Sequence, residues 1–280
     1  MRSINSEYLS LCGITLTAFV ALLDYTLVNT ALPTIQSTFQ VSVLDLQWVF
    51  NIYCIVIAVF MVISGRLGDR YGRRLMFYWG TIILGLGSYG AGHADSFITL
   101  VIFRGIQSIG AATTITLAIS LINHLFIGRA HYPMSFYAAI TGLGLTLGPF
   151  LGGVIVMHLG WRWIFYINIP FLLVAFAICI PCLSESKTHK SSYIDYPGAI
   201  LLTTTLSSLI YGIIRGEDVS FFDPQCIICI ILFMISLPIL IWVENRQVNP
   251  MINPRFFSNA KFLSATSVCI MYGGRQKLDR

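Results

Sequence analysis

Long apolar blocks cut by short polar connectors dominate this chain, and short alternating strands of the outer-membrane barrel kind are missing from it. Seven stretches of 20 residues or more carry no formal charge at all: 25–44, 46–65, 75–94, 105–128, 130–161, 163–184 and 224–243. A bilayer core about 30 Å thick is crossed by about 20 residues at 1.5 Å each, so blocks of this length predict membrane-spanning helices. Eight spans follow, at about 9–32, 45–64, 75–93, 97–120, 135–158, 163–183, 196–214 and 225–243. A ninth block, 262–273, has about 12 residues, or ~18 Å of helix, and a polar tail behind it. A span is expected to begin there and stop halfway. The fold class is therefore an all-α polytopic membrane protein.

Composition agrees: 10% of residues are charged, against roughly 25% in an average soluble protein, and 56% are apolar. The net charge of +5 comes from basic residues in connectors and forms no basic face, so no nucleic-acid partner is expected. The polar start, Met1 to Tyr8, is unlike a cleavable signal peptide. With a cytoplasmic N-terminus, eleven Lys and Arg residues fall in inside segments and two, Arg162 and Arg215, in outside loops. The positive-inside rule thus predicts that orientation, in an inner or plasma membrane.

The connector after span two reads Gly65-Arg-Leu-Gly68-Asp69-Arg70-Tyr-Gly72-Arg73-Arg74. A merely basic loop accounts for the arginines but not for three glycines spaced around one aspartate. Glycine permits tight turns and close helix approach, and a lone carboxylate among arginines suits a charge latch between helices.

Two charges lie inside spans. Asp24 sits in span one, upstream of Asn29 and Pro33, and Arg104 in span four, with Gln107 one turn on. Such charges are costly in lipid and point to function. Counted from the outer ends of their spans, they lie roughly 12 and 10.5 Å deep, within one helical turn of each other. A purely structural ion pair is the plainer alternative. Span five carries Gly144, Gly148 and Gly152 at every fourth position, with Pro149 and Gly153 among them. That spacing makes a flat face for close packing, and the proline predicts a hinge.

Cys179-Ile-Pro-Cys182 and Cys226-Ile-Ile-Cys229 imitate a zinc pattern, but the topology places the pairs on opposite sides of the membrane. Histidines fall singly, at 93, 124, 131, 158 and 189. No nucleophile–base pair, phosphate loop, metal cluster or cofactor motif is present, so neither enzyme activity nor a cofactor is expected.

Taken together, these segments resemble the major facilitator superfamily, and within it the fourteen-span drug:proton antiporters typified by EmrB and QacA. The stretch around Asp24 resembles the family's first-helix motif, Gly65–Arg74 its signature loop, and Arg104-Gly-Ile-Gln107-Ser108-Ile-Gly110 its fourth-helix motif. Gly142 to Gly153 is similar to the fifth-helix antiporter motif, and Trp161-Arg-Trp-Ile-Phe-Tyr-Ile-Asn168-Ile-Pro170 to the entry of span six. Ser108 stands where the family usually has glycine, and His131-Tyr132-Pro133 where a small flexible pair is usual.

The resemblance implies a six-helix amino-terminal bundle over 1–186, two additional helices over 187–244, and a connector with the incomplete ninth span over 245–280. It implies proton-coupled efflux of amphipathic compounds through a central cavity, with protons, such substrates and the lipid bilayer as partners. Asp24, Asn29, Arg104 and Gln107 would serve the cavity and proton coupling. Gly65, Gly68, Asp69, Arg70, Gly72 and Arg73 would form the gating loop, and the glycine–proline face would govern exchange. An adaptor or a second polypeptide would supply a second bundle, since the chain is expected to be an incomplete transporter. The alternatives are a uniporter or symporter for one metabolite, and a non-transporting remnant or interaction partner.

Overall fold

Thirty-six residues, Ile4–Phe39, form one helix, α1. A computed structural model describes residues 4–183, 195–218 and 220–247. The block at 262–273, the tail behind it and most of the connector around Lys187 lie outside the described residues.

Helix α1 outruns the expected 9–32 at both ends and continues through Pro33. Hydropathy marks only the stretch inside hydrocarbon, whereas the backbone ladder continues wherever side chains allow it. It stops at Gln40, whose φ of 53° is left-handed. One turn, α2 (Val43–Leu46), follows, capped by Ser42, whose Oγ accepts from the Asp45 N–H at 3.1 Å. The remaining helices are α3 (Trp48–Tyr71), α4 (Arg73–Gly92), α5 (Phe97–Leu125), α6 (His131–Leu159), α7 (Trp163–Tyr166), α8 (Asn168–Cys182), α9 (Tyr196–Asp218) and α10 (Pro224–Arg246).

Among the described residues, seven segments are long and apolar enough to cross a membrane. Of the eight expected spans, the one outside that group is α4. Its two leading arginines and its glycines dilute its hydropathy, although its 20 residues reach about 30 Å.

Helix α1 is central: it packs on α5, α6 and α8, while α4 and α3 pack on α5. Helices α4 and α5 meet backbone to backbone at two glycines. A Cβ on Gly87 would lie 2.5 Å from the Gln107 backbone, and one on Gly110 would strike the Leu84 backbone. Small residues replace the hydrophobic drive that lipid cannot supply. Aromatic residues close the end opposite the arginine-rich loop: Phe39 stacks edge-on with Trp161 at 5.6 Å and with Phe97 at 6.3 Å.

Helices α9 and α10 form a hairpin that lies against α3. Thr205 donates to Ser236 across it at 2.9 Å, and the Trp48 and Tyr211 rings meet at 5.5 Å. Asp223 caps α10 and pairs with Arg215 at 3.3 Å. The two CxxC segments have separate packing roles. Cys179 fits against Gly13 of α1, and Cys226 donates to the Gly212 carbonyl at 3.1 Å.

Candidate functional site: a buried charge network in the bundle core

Helices α5 and α8 both donate hydrogen bonds to the Asp24 carboxylate of α1. Oδ2 accepts from Arg104 Nη1 at 2.5 Å, and Oδ1 accepts from Gln107 Nε2 at 3.0 Å and Asn168 Nδ2 at 2.7 Å. Arg104 Nη1 also donates to Gln107 Oε1 at 2.6 Å, and Arg104 Nε to the Val49 carbonyl at 3.2 Å. The guanidinium carbon lies 4.2 Å from the centroid of the Tyr53 ring and 5.7 Å from that of Phe165. Tyr53 in turn donates to the Ala21 carbonyl of α1 at 2.9 Å. Ser88 of α4 accepts from Gln107 Nε2 at 2.7 Å and from Asn168 Nδ2 at 3.3 Å. Two buried polar atoms here have no hydrogen-bond partner, Arg104 Nη2 and Asn168 Oδ1.

Asp24, Ser88, Arg104, Gln107 and Asn168 are each 0% exposed. Among the described residues the pair is sealed, because residues of α3, α4, α7 and α8 close around it. Ser108, the departure from family glycine, is accommodated by donating to the Arg104 carbonyl at 2.5 Å.

Asn29 stands apart from this network, on the exposed side of α1. Five residues advance a helix by about 140° beyond a full turn, so it cannot share the face of Asp24. Ser88, Asn168 and Tyr53 carry no charge, and sequence reasoning gave none of them a role. Asn168 lies in a recognisable segment, Trp161 to Pro170. It is the first residue of α8, and Pro170 follows in the same first turn, where a missing N–H has no partner within α8 to lose.

At the arginine-rich end, Gly72 with φ 107° breaks α3 from α4. Gly68 faces Leu117 of α5 with no room for a side chain, whereas Gly65 has only Thr116 at 3.8 Å. Asp69 Oδ1 accepts from Arg73 Nη2 at 2.9 Å and Nε at 3.2 Å, on an exposed surface. Arg70 lies over the Tyr71 ring at 5.3 Å. Arg74 reaches the Tyr78 hydroxyl at 3.2 Å and the Ile180 carbonyl at 3.3 Å, tying the loop to the end of α8.

On α6, Gly144, Gly148 and Gly152 share one buried face against Phe19, Thr26, Leu27 and Thr30 of α1. Gly153 is off that face, exposed and with nothing within 4 Å of a Cβ there. One residue turns a helix by 100°, so it cannot join its neighbour's contact. Pro149 is also exposed, and α6 runs unbroken through it. Membrane helices tolerate an internal proline when the freed carbonyl is re-satisfied nearby.

A family model described as Major Facilitator Superfamily matches residues 14–274. The chain belongs to the major facilitator superfamily. It is 31% identical over 271 residues to Multidrug resistance protein Stp of Mycobacterium tuberculosis (strain CDC 1551 / Oshkosh), covering 96% of this chain and 50% of that protein. Multidrug resistance protein 3 of Bacillus subtilis (strain 168) is 32% identical over 264 residues, covering 94% and 51%. The lincomycin resistance protein of Streptomyces lincolnensis is 30% identical over 268 residues, covering 95% and 56%. This chain thus spans about half the length of the curated relatives it matches. Among solved structures, a peptide transporter POT superposes with a TM-score of 0.63 at 14% identity, over 84% of this chain and 51% of that one. That likeness concerns the fold, an all-helical major facilitator architecture in a multi-pass membrane protein.

Proposed function

We propose that this major facilitator chain provides the amino-terminal half of a proton-coupled exporter of amphipathic drugs, of the fourteen-span EmrB/QacA-like group. It resides in an inner or plasma membrane with the N-terminus cytoplasmic. The names of its relatives support drug efflux. The observation that carries proton coupling is the fully buried Asp24–Arg104 pair. Protonating Asp24 removes the only anion bonded to Arg104 among the described residues. An unpaired arginine inside a membrane protein costs about 2.5–3.5 kcal/mol even on the mild insertion scale. That cost is relieved if the bundle rearranges to give Arg104 other partners. A proton bound on one side thereby favours one conformation over the other.

The Asp69–Arg73 pair supports a gating role for its loop. An exposed ion pair is worth at most about 1 kcal/mol, so it can exchange partners with a second bundle as the inner side closes. The second bundle comes from the remainder of the transporter or from another polypeptide, and substrates pass between the two. The face of α6 built from Gly144, Gly148 and Gly152 lets α6 slide on α1 during that motion.

The test uses proteoliposomes with an imposed proton gradient and a lipophilic cationic dye, with the chain present together with a carboxy-terminal bundle. Gradient-driven dye movement that collapses with a protonophore and is lost in Asp24→Asn is the expected result. Dye movement unaffected by the gradient or by that substitution would remove proton coupling from the proposal. The 280-residue chain alone is expected to be silent; activity from it would require two copies to form the cavity.

A further inference from the structure

Hydrogen-bond accounting around Asp24 leaves a pattern that one protonation state explains and the other would reverse. Asp24 accepts three hydrogen bonds and donates none, as an ionised carboxylate must. Asn168 presents its nitrogen to Asp24 Oδ1 at 2.7 Å and to Ser88 Oγ at 3.3 Å, while its own Oδ1 is buried without a partner. Ser88 accepts from two amides, and among the described residues its hydroxyl proton has no acceptor. An acceptor and a donor are therefore both idle, within one side chain's reach of each other.

A proton arriving at Asp24 goes to Oδ1, because Oδ2 already faces the Arg104 guanidinium. The new O–H then faces the N–H groups of both Asn168 and Gln107, donor against donor, in a site with 0% exposure; Arg104 Nη1 holds the Gln107 oxygen, so Asn168 is the amide left to turn. Buried polar groups facing each other in this way are costly. Turning the Asn168 amide by half a revolution about its last side-chain bond removes the conflict with Asp24 and carries its NH2 group to the place where Oδ1 had no partner. Its oxygen then occupies the former nitrogen position, accepts the Asp24 O–H, and accepts the idle Ser88 proton as well.

We infer that Asn168, with Ser88, is a positioning residue whose side-chain amide reverses when Asp24 gains a proton, reporting the protonation state to the start of α8. No bond other than O–H is made; the proton moves from water to Asp24 Oδ1. The charged and titratable groups nearby are Arg104 from α5, Tyr53 and Cys54 from α3 and Tyr25 from α1. The elements α4, α7 and α8 contribute Ser88, Phe165 and Asn168, which carry no charge. The inference rests on the proposal that Asp24 is the proton site.

Infrared difference spectra of the purified full chain in lipid nanodiscs, taken between high and low pH, test it without any need for transport. Asparagine labelled with heavy carbon at its side-chain carbonyl marks the amide bands. The expected result is a protonated-carboxyl band missing in Asp24→Asn, accompanied by a downward shift of one asparagine carbonyl band that is missing in Asn168→Leu. Ser88→Ala should keep that band and reduce its shift. A titrating Asp24 band with no asparagine carbonyl moving in the labelled wild-type chain overturns the inference and leaves the proposed function standing. Absence of any titrating Asp24 band overturns both. Since the labelled wild type decides the matter, a variant that fails to fold does not protect the inference.

Discussion

Gly148 of α6 and Thr26 of α1 meet with no space between them for a methyl group: a Cβ on Gly148 would lie 2.6 Å from Thr26 Cβ and closer still to its hydroxyl. Thr26 uses the proximity, its hydroxyl lying 3.5 Å from the Gly144 carbonyl and 3.1 Å from that of Leu23. Gly148→Ala should therefore force α6 from α1 and destabilise the chain by about 1–3 kcal/mol, the usual range for overpacking. Gly153→Ala, on the open side of the same helix, should change stability by less than about 0.5 kcal/mol. Thermal unfolding in detergent compares the two, and equal effects would refute the packing assignment.

The ion pair in the core should behave as one unit. Removing either partner leaves a buried group uncompensated, at a cost of about 3–5 kcal/mol. Asp24→Asn and Arg104→Gln together should therefore cost clearly less than the sum of the two, with a coupling of about 1 kcal/mol or more. Strict additivity in unfolding measurements would contradict the 2.5 Å contact.

A different balance is expected at the loop. Asp69→Asn should alter stability by at most about 1 kcal/mol, less at high salt, since the Asp69–Arg73 pair is exposed. In a transporting assembly it should nonetheless slow dye efflux severalfold if the carboxylate exchanges partners during gating. A salt-independent loss of stability would point to a structural role instead.

Orientation is open to direct labelling. In a cysteine-free background, a single cysteine at Asp69 should react with an impermeant reagent only from the cytoplasmic side. One at Asp223, at the start of α10, should react only from outside. Labelling of both from one side would contradict the proposed topology.

Apolar block length alone established the all-helical membrane architecture, because hydrocarbon demands about 20 residues per crossing whatever the tertiary packing. The depth of Asp24 and Arg104 was equally legible, since helical rise is a constant, and it put the two residues at one level of the membrane; their contact was decided by the fold. The fourfold glycine spacing on α6 likewise declared its face. Tertiary structure decided what surrounds these groups. Asn168 reaches Asp24 across 144 residues of chain, and an uncharged amide or hydroxyl in an apolar run leaves no trace of its partner. Asn29 and Gly153 lie beside motif residues in sequence, yet helical rotation turns them to other faces. The sealing of the charge pair also required the folded bundle: only the joint packing of α3, α4, α7 and α8 around α1 and α5 excludes solvent, and no single helix carries that information.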